Sequence, residues 1–516
     1  GLASLCEGSA QPALPAGVTP TVGTLLPGVL EDRIVSGGRR LTRRTVSIGL
    51  GAGLSTLIAA PAFGEAIDIK VTAQARELGG NAKTLSVLLP EGSRANLAPV
   101  AKAFTERTGV AVDLQEVHVD QINAELMLNS VLGEARYDVA LPATFGLADL
   151  VAAGAVHALD GFAARYEPPG FRDPMLYQEG DKFDGKTYGF QTDGDAYLMF
   201  YHREMLRDPH DQARYADRFG YPLVQPETWQ ELDRQIRFFH APEAGRYGGL
   251  LFRTPGYLAW EWWVRFHAKG YWPLSPDMTP QIADDAGVAA LEELIAITDC
   301  LAPETSSLGL FGNWARYAKG DVYCNIGWGG TQKYLNSPRS LMRGRMVYGP
   351  TPGGQVGEEL LEIPYFNWGW SFVISAASTQ KELAYLFALF AVTPAMSTLA
   401  VRQPDGFFDP FRNEHYSDRG VEAAYSKSFL EVHRAALKGA IPDFYLKGQS
   451  EYFQTLGRGL DKALQGEVSP KMALTRVAKQ WQLITSRVGR ERQIQRWARL
   501  RAKYPPNARR LLRDIA

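Results

Sequence analysis

The segment TLSVLLPEGSRANLAPVAKAFTERTGVAVDLQEV, residues 84–117, alternates between two kinds of apolar pattern. The apolar run 84–89 is typical of a buried strand, while apolar residues at 97, 100, 101 and 104 give residues 96–108 the periodicity of a helix. Gly109 is expected to end this helix, and further strands are predicted at 110–117 and 137–141. Strands that alternate with helices predict an α/β fold with a mostly parallel sheet flanked by helices.

Length and composition are those of a globular protein with more than one domain. The chain has 516 residues, of which 45% are hydrophobic and 22% charged, and its length suggests about two to four domains. The net charge of −1 supplies no basic field, so nucleic acid is not expected as a partner. The cysteines, Cys6, Cys300 and Cys324, show no CxxC spacing, which argues against a zinc site and leaves pairing of Cys300 with Cys324 open.

Residues 39–66 have the features of an export signal peptide. Arginines precede an uncharged run at 46–60, which is shorter than the roughly 20 residues that a membrane span needs. Small residues follow, and cleavage is expected at 62–66. The paired arginines favour the twin-arginine export route over the general secretory route, although Val46 and Ile48 depart from its usual pattern.

Residues 1–38 precede this signal and contain no methionine. They are expected to be an upstream tail that is not part of the native product. The mature protein is therefore expected to be exported and soluble, most simply in a bacterial periplasm.

Several segments match, in order and spacing, one protein family. The segments are FTERTGVAVDLQEV (104–117), YDVALPATFGLADLVAAGAVHALDGF (137–162), GKTYGFQTDGDAYLMFYHREML (185–206), PETWQELDRQIRFF (226–239), YAKGDVYCNIGW (317–328), WGWSFVISAASTQKELAYLFALF (368–390), DPFRNEH (409–415) and ALQGEVSPKMALTRVAKQWQLITSRVGRERQ (463–493). Over residues 84–500 the chain resembles the extracellular solute-binding proteins of ABC transporters, in their sugar-binding branch.

The resemblance implies a periplasmic-binding-protein fold with two α/β lobes, joined by crossover strands, that hold a ligand in the cleft between them. It places the crossovers near 191–198, 323–330 and 370–377. Lobe 1 is then expected at 84–193 plus 328–375, and lobe 2 at 194–327 plus 376–500. Residues 501–516 are expected to form a basic C-terminal tail.

Patterns that would indicate catalysis are weak. The letters of 180–187 fit GxxxxGK[ST], but no buried strand precedes them and no helix is expected to follow, so nucleotide binding is not expected. The histidines form no metal-binding pair and no GxSxG motif occurs. Asp193 and Asp195 could serve glycoside hydrolysis, but carboxylates that accept hydrogen bonds from ligand hydroxyls explain them better. No enzymatic activity, metal or cofactor is expected.

The stretch YLAWEWWVRFHAKGYW, residues 257–272, concentrates four of the eleven tryptophans. Trp262 and Phe266 share one helix face and Trp263 lies on another, and all three are expected to be core. Trp260, placed in the first turn, is expected to face the cleft, because in the resembling family an aromatic at this place commonly stacks on a sugar.

The same reasoning assigns the remaining candidate ligand-binding residues. Tryptophans and amides near the second and third crossovers would supply aromatic faces and hydrogen bonds. For Trp370 and Arg412 a structural role is an equal alternative. The predicted ligand-binding residues are Asp193, Asp195, Trp260, Trp328, Asn367, Trp368, Trp370 and Arg412.

The sequence therefore predicts the substrate-binding component of an ABC importer, a monomer that captures a carbohydrate and delivers it to a permease in the inner membrane. An exported carbohydrate-active hydrolase is one alternative. A binding protein for a polyol phosphate or a polyamine is another. The basic stretch from residue 487 to the end is expected to be a solvated terminal helix, with a docking role left open.

Overall fold

The computed structural model describes residues 55–79 and 83–515, and residues 58–516 form one compact unit. The predicted upstream tail, 1–38, lies outside the described residues. So does most of the predicted signal segment, 39–66, whose last residues belong to a helix that begins at Ser55.

Strands in the described part of the chain form two larger sheets and two short hairpins. They are β1 (Thr84–Pro90), β2 (Ala111–Val117), β3 (Val139–Ala140), β4 (Lys182–Phe183), β5 (Lys186–Thr187), β6 (Gly189–Gln191), β7 (Ala196–His202), β8 (Tyr247–Leu250), β9 (Val322–Gly327), β10 (Met346–Pro350), β11 (Gly354–Val356), β12 (Glu359–Leu361), β13 (Tyr365–Phe366) and β14 (Ser371–Ile374).

Helices connect these strands and make up the C-terminal part of the chain. They are α1 (Ser55–Leu78), α2 (Arg94–Thr108), α3 (Ile122–Leu132), α4 (Leu147–Ala152), α5 (Asp160–Tyr166), α6 (Arg203–Arg207), α7 (Pro209–Phe219), α8 (Trp229–Phe239), α9 (Pro255–His267), α10 (Asp285–Thr298), α11 (Leu310–Tyr317), α12 (Gly329–Leu335), α13 (Lys381–Ala391), α14 (Pro394–Val401), α15 (Arg419–Tyr425), α16 (Lys427–Gly439), α17 (Gln449–Leu464), α18 (Pro470–Val488), α19 (Arg490–Arg501) and α20 (Pro506–Leu511).

The first sheet has the order β2-β1-β3-β14-β6. Its strands β1, β2 and β3 are parallel, with Val87 paired to both Leu114 and Val139, while β14 runs antiparallel to β3 and β6. Leu85, Val87, Leu88 and Leu89 are fully buried, as expected for a strand covered on both faces. The predicted α/β class is confirmed.

The second sheet has the order β10-β7-β9-β8, and β13 also pairs with β7. Strand β7 is antiparallel to its three neighbours, and β8 runs parallel to β9. Every residue of β7 and of β9 is buried. The chain reaches this sheet from β6 over residues 192–195 and leaves it for β14 over residues 367–370.

Sheet membership differs from the predicted division into lobes. Residues 328–366, predicted for lobe 1, stay with the second sheet, because β10 and β13 both pair with β7. Helices α13 and α14, predicted for lobe 2, pack instead on the first sheet and on α2. The chain returns to the second sheet with α16, which packs on β7 and β10.

Two names follow from this arrangement. The first half comprises residues 84–191 and 371–401, built on the first sheet. The second half comprises residues 196–366 and 419–515, built on the second sheet and its helices.

Helix α1 was not predicted from the sequence pattern. Ile67, Val71 and Ala75 recur at four-residue spacing and bury one face of it. An ion pair between Arg107 Nη1 and Asp68 Oδ2, at 3.1 Å, also ties it to α2. The residues that follow the predicted cleavage region therefore already belong to the folded body.

The P-loop-like letters of 180–187 do not build a phosphate site. They form the hairpin β4–β5, in which Asp184 and Gly185 have positive φ values of 49° and 81°. A hairpin leads directly into β6 instead of a helix N-terminus.

Two further findings concern the cysteines and the apolar helices. Cys300 and Cys324 are free thiols, and Cys324 is buried. Within the described ranges, no single helix has both the length and the apolar composition of a membrane span; α13 and α14 meet those two criteria only as a pair bent by 69°.

A buried ion network supports helix α9, which carries the tryptophan-rich stretch. The Glu261 carboxylate accepts hydrogen bonds from Arg253 Nη1 at 2.6 Å and from Arg265 Nε at 2.8 Å. Arg265 also pairs with Asp233, at 2.7 and 2.8 Å. Burial would raise the pKa of Glu261, but the two arginines outweigh it and lower that pKa.

We expect Glu261→Gln to lower the free energy of unfolding by about 3–5 kcal/mol, because it leaves buried arginine charge without its partner. Glu106→Gln is the matched control. Its ion pair with Lys102 is exposed, and its loss should change that free energy by less than about 0.5 kcal/mol. Urea denaturation of both variants measures the difference, and equal effects would show that the buried network does not hold α9.

Candidate functional site

Three of the predicted tryptophans lie in mutual contact. The ring centroids of Trp260 and Trp328 are 5.9 Å apart, those of Trp260 and Trp368 are 5.2 Å apart, and those of Trp328 and Trp368 are 5.3 Å apart. Phe145 and Tyr257 pack on the same rings, at 5.3 and 5.8 Å from Trp368. We call these five residues the aromatic cluster.

The cluster joins both halves of the molecule and the passage between them. Phe145 belongs to the first half, while Tyr257 and Trp260 lie on α9 in the second half. Trp328 directly follows β9 and precedes α12. Trp368 lies in the passage 367–370, so the cluster forms where the chain changes sheets.

A cavity of about 650 Å³ opens beside the cluster, between α3 and α4 on one side and α9 and α17 on the other. Aromatic and aliphatic side chains form much of its wall, and amides, carboxylates and one arginine complete it. The lining residues are Asp120, Asn123, Ala124, Met127, Phe145, Gly146, Asp149, Leu150, Pro255, Gly256, Tyr257, Ala259, Trp260, Gln449, Ser450, Phe453, Gln454 and Arg458.

Polar atoms behind the cluster are buried, and several have no hydrogen-bond partner in the described structure. These are Tyr197 Oη, Asn367 Nδ2 and Trp368 Nε1. Asn367 is held in place, because its Oδ1 accepts a 2.7 Å hydrogen bond from Trp328 Nε1. Tyr197 packs on Trp328 with ring centroids 4.8 Å apart. None of these three residues lines the cavity, so the two N–H donors and the hydroxyl lie buried behind the aromatic surface and not on it.

Asp193 and Asp195 lie in the passage 192–195, where they form a buried cluster with Asp409. One carboxylate oxygen of each lies within 4.8 Å of the others. Asp193 Oδ1 accepts from Asp409 N at 2.7 Å, and Asp195 Oδ2 accepts from Gly369 N at 3.0 Å. Asp409 Oδ2 accepts from Gly329 N at 2.7 Å. We call Asp193, Asp195 and Asp409 the carboxylate cluster.

The electrostatics of this cluster are set mainly by burial. Burial and the neighbouring carboxylates raise the pKa of Asp193 and of Asp195 well above the usual range. Burial raises the pKa of Asp409 to about 6, with Asp195 and Lys333 opposing the shift. Lys333 is buried beside the cluster, and burial lowers its pKa to about 7. The pKa values of Asp409 and of Lys333 are therefore both displaced toward neutral pH.

Trp370 and Arg412 have other surroundings. Trp370 is buried beside Trp368, at 5.7 Å, and beside Phe407, at 6.1 Å. The Arg412 guanidinium donates to Val392 O at 2.6 Å and pairs with Glu414 at 3.1 Å. Of the eight predicted ligand-binding residues, Trp260 alone lines the cavity, and the contacts of Arg412 are those of a structural residue.

Sequence reasoning missed Phe145, Tyr257, Asp409 and Lys333. Tyr257 opens the tryptophan-rich stretch, and Asp409 opens the segment DPFRNEH from which Arg412 was chosen. Both residues therefore lie in segments from which other site residues were predicted. No local pattern marked Lys333, which is buried in α12.

Comparison with known proteins places the chain among binding proteins. A family model described as bacterial extracellular solute-binding protein matches residues 100–424. A probable amino-acid ABC transporter periplasmic-binding protein from Sinorhizobium fredii is 22% identical over 315 residues, which cover 58% of this chain. The chain spans 66% of the length of that relative.

Solved structures share the fold at low identity. An ABC transporter solute-binding protein from Agrobacterium radiobacter K84 in complex with ribitol has a TM-score of 0.67 at 18% identity, covering 78% of this chain and 98% of its own. Maltose-bound MalE3 from T. maritima has a TM-score of 0.66 at 17% identity, covering 78% of this chain and 100% of its own. The two-lobed architecture of these proteins is the fold seen here.

The carboxylate cluster predicts a pH dependence. An acid whose pKa is higher in the folded state stabilises the fold below its unfolded pKa, and this stabilisation is lost as the pH rises through the folded pKa. For Asp409 that window runs from 3.8 to about 6. We expect Asp409→Asn to remove up to about 3 kcal/mol of the decline in unfolding free energy across this window.

Asp443→Asn is the control for this experiment. Burial raises the pKa of Asp443 to about 7, and its carboxylate bonds Tyr365 and Gln449, away from the cluster. Asp443→Asn should therefore remove a decline in the free energy of unfolding that extends to about pH 7. Denaturation curves at pH 4, 5, 6 and 7 separate the two windows. A decline between pH 4 and 6 that Asp409→Asn leaves as steep as in the wild type would contradict the assignment.

Proposed function

This chain belongs to the bacterial extracellular solute-binding protein family, and from that premise we propose that it is the periplasmic substrate-binding component of an ABC importer. The solute we propose is a neutral carbohydrate or a related polyol, bound in the cavity between the two halves and delivered to a permease in the inner membrane. We further propose that it releases its solute chemically unchanged.

The observation that carries this proposal is the meeting of aromatic rings with unpartnered polar groups beside one cavity. Sugars and polyols present C–H faces, which suit aromatic rings, and hydroxyls, which need hydrogen-bond partners. Trp260 and Tyr257 supply faces at the cavity wall, while Asn367 Nδ2 and Trp368 Nε1 lie buried behind it and would become available to a solute when the two halves open. A cavity of about 650 Å³ lies within the range of small-molecule sites.

Charge at the cavity favours a neutral solute over the alternatives. Arg458 is the sole Lys or Arg among the lining residues, whereas a phosphate ligand would need several cations. Of the two lining carboxylates, Asp149 already accepts from the backbone N–H groups of Gly448 and Ser450, at 2.5 and 3.1 Å. A polyamine would therefore find little free negative charge.

An amino acid is the second candidate, because the curated relative carries that description. A zwitterion needs a cation and an anion at fixed separation. Arg458 and Asp120 both line the cavity and could supply them. The wall of aromatic rings weighs against this candidate, since it offers neither charge.

The two-half architecture supports binding by closure. Hinge closure around a ligand is the general mode of periplasmic binding proteins, and residues 192–195, 367–370 and 402–418 are the connections at which rotation would occur. Ligand stabilises the closed arrangement only through its higher affinity for that arrangement. Micromolar binding would correspond to about −8 kcal/mol.

The proposal predicts binding without turnover. Titration calorimetry with maltose, ribitol, mannitol, a neutral amino acid, spermidine and a sugar phosphate is expected to give heat with one or more of the first three alone. The best ligand should be recovered intact after prolonged incubation. Binding confined to the amino acid would transfer the proposal to the second candidate, and steady product formation would replace it with a hydrolase.

Two neighbouring tryptophans provide a matched pair for the site. Trp260 lines the cavity, whereas Trp262 is fully buried, stacks on Phe266 at 5.2 Å and donates to Gly287 O at 3.2 Å. We expect Trp260→Ala to weaken ligand binding tenfold or more, which is about 1.4 kcal/mol. Trp262→Ala should lower the free energy of unfolding by about 3–5 kcal/mol and leave affinity unchanged.

Calorimetry and denaturation of the same two samples check this pair. The opposite pattern, with affinity lost at Trp262 and stability lost at Trp260, would mean that the two faces of α9 are assigned incorrectly. Trp260→Phe serves as the conservative control, because it keeps an aromatic face and should retain most of the affinity.

A further inference from the structure

The C-terminal segment is strongly basic, and the proposed function leaves that charge unexplained. From Arg487 to the end, the chain has nine arginines and one lysine against two acidic residues. We call residues 489–515, which contain α19 and α20, the C-terminal strap. Its arginines and its lysine are the subject of the inference below.

The strap is anchored to the second half through α9 and the residues that follow it. Trp497 Nε1 donates to Leu274 O at 3.2 Å, and the Arg501 guanidinium lies over the Trp272 ring at 4.2 Å. The backbone of Arg513 pairs with Gly270 and Trp272, in two hydrogen bonds of 2.9 Å. These contacts use aromatic and backbone groups, and most of them do not depend on charge.

Part of the basic charge of the strap reaches the first half. Arg496 forms a bidentate ion pair with Asp184, at 2.9 and 2.7 Å, and its guanidinium lies over the Phe183 ring at 4.7 Å. Lys503 Nζ pairs with Glu179 Oε1 at 3.1 Å. The Arg496 side chain is 9% exposed, which makes its pair less screened by solvent than an ordinary surface pair.

The acidic partners of Arg496 and Lys503 are fixed to the first sheet. They flank Asp181, whose carboxylate accepts from Gln191 N in β6 at 2.8 Å and also bonds Ser371 Oγ in β14. The segment that carries Glu179 and Asp184 therefore moves with the first half. A rotation of one half against the other would separate these ion pairs.

The arrangement in which the pairs form is also the one that brings the cavity walls together. Phe145 of the first half contacts Trp260 of the second half, with ring centroids 5.7 Å apart. Tyr257 Oη likewise donates to Asp120 Oδ1 at 3.3 Å across the cavity. The ion pairs of the strap and the contacts between the cavity walls both join the two halves, and both form in the same relative arrangement of the halves.

We propose that the C-terminal strap is an electrostatic brace that holds the two halves in this closed arrangement and so raises affinity for the solute. The effect on affinity rests on the proposed function, whereas the bracing itself does not. A brace acts by increasing the fraction of protein already competent to bind, so its loss weakens apparent affinity by that fraction.

Arg496→Ala combined with Lys503→Ala tests the brace, with Arg510→Ala as the matched control. Arg510 lies in the same strap and pairs with Glu359 of β12, so its ion pair stays within the second half. We expect the double variant to bind solute about threefold to tenfold more weakly, and the control to bind as the wild type does. In 1 M salt the difference should shrink, chiefly through the Lys503 pair, because that pair is exposed and is screened.

Small-angle X-ray scattering of the full chain without ligand separates this proposal from the proposed function. The double variant should show a larger radius of gyration than both the wild type and Arg510→Ala, even if no ligand has been identified. Equal radii for all three proteins would overturn the brace. Tighter solute binding by the double variant would also overturn it, because the pairs would then favour an open arrangement.

A charge reversal guards against a nonspecific effect of the substitutions. Lys503→Glu should expand the ligand-free protein, and adding Glu179→Lys should restore its radius, because the exchanged charges pair again. A second substitution that restores nothing would show that Lys503 does not act through Glu179.

Discussion

Where the chain changes from one sheet to the other, some backbone amides have no partner in a neighbouring strand, although others do, such as Thr192 N, which donates to Trp370 O at 3.0 Å. Buried aspartates take the place of that strand: Asp195 accepts from Gly369 N, and Asp193 accepts from Asp409 N. Asp409 in turn accepts from Gly329 N. An unpaired buried N–H costs about 1–3 kcal/mol, so this arrangement requires acceptors at these positions. The remainder of the site is built around that requirement.

The same hydrogen bonds position the aromatic surface. Gly369 follows Trp368, and Gly329 follows Trp328, so each bond to an aspartate fixes the backbone next to a ring of the cluster. Gly369 has a positive φ of 70°, and a Cβ there would lie 2.5 Å from the Phe366 ring. The passages between the sheets and the rings of the aromatic cluster therefore share one network, and a rotation at the passages would alter both.

The local part of the fold could be predicted from the sequence, while its long-range part could not. The pattern of 84–141 gave the parallel unit, because strand and helix periodicities are properties of adjacent residues. Residues 328–366 belong to the second sheet because β10 and β13 both pair with β7. No local sequence pattern records that pairing. Helix α13 is apolar nearly all round, so its pattern does not say which sheet it covers.

Prediction of the site shows the same division. Residue type and the family resemblance led to Trp260, Trp328 and Trp368, which the structure brings into contact. Asp409 and Arg412 lie three residues apart. What distinguishes them is the set of residues that each contacts in the folded structure. Arg412 is fully engaged by Glu414 and Val392 O, whereas Asp409 meets two carboxylates from a distant passage. A single sequence carries no signal for such an encounter.

The contacts among the aromatic rings also bear on which solutes the proposed site would hold. Aromatic pairs contribute about 0.5–1.5 kcal/mol each beyond the area that they bury, and in this arrangement Trp260, Trp328 and Trp368 satisfy one another. A solute that separates them must replace those contacts with its own apolar faces. It gains further only by bonding donors such as Asn367 Nδ2 and Trp368 Nε1, which the rings leave unsatisfied. Under the proposed function this exchange would favour a solute with both apolar faces and hydroxyls, because a purely polar or a purely apolar solute could replace only one of the two kinds of contact.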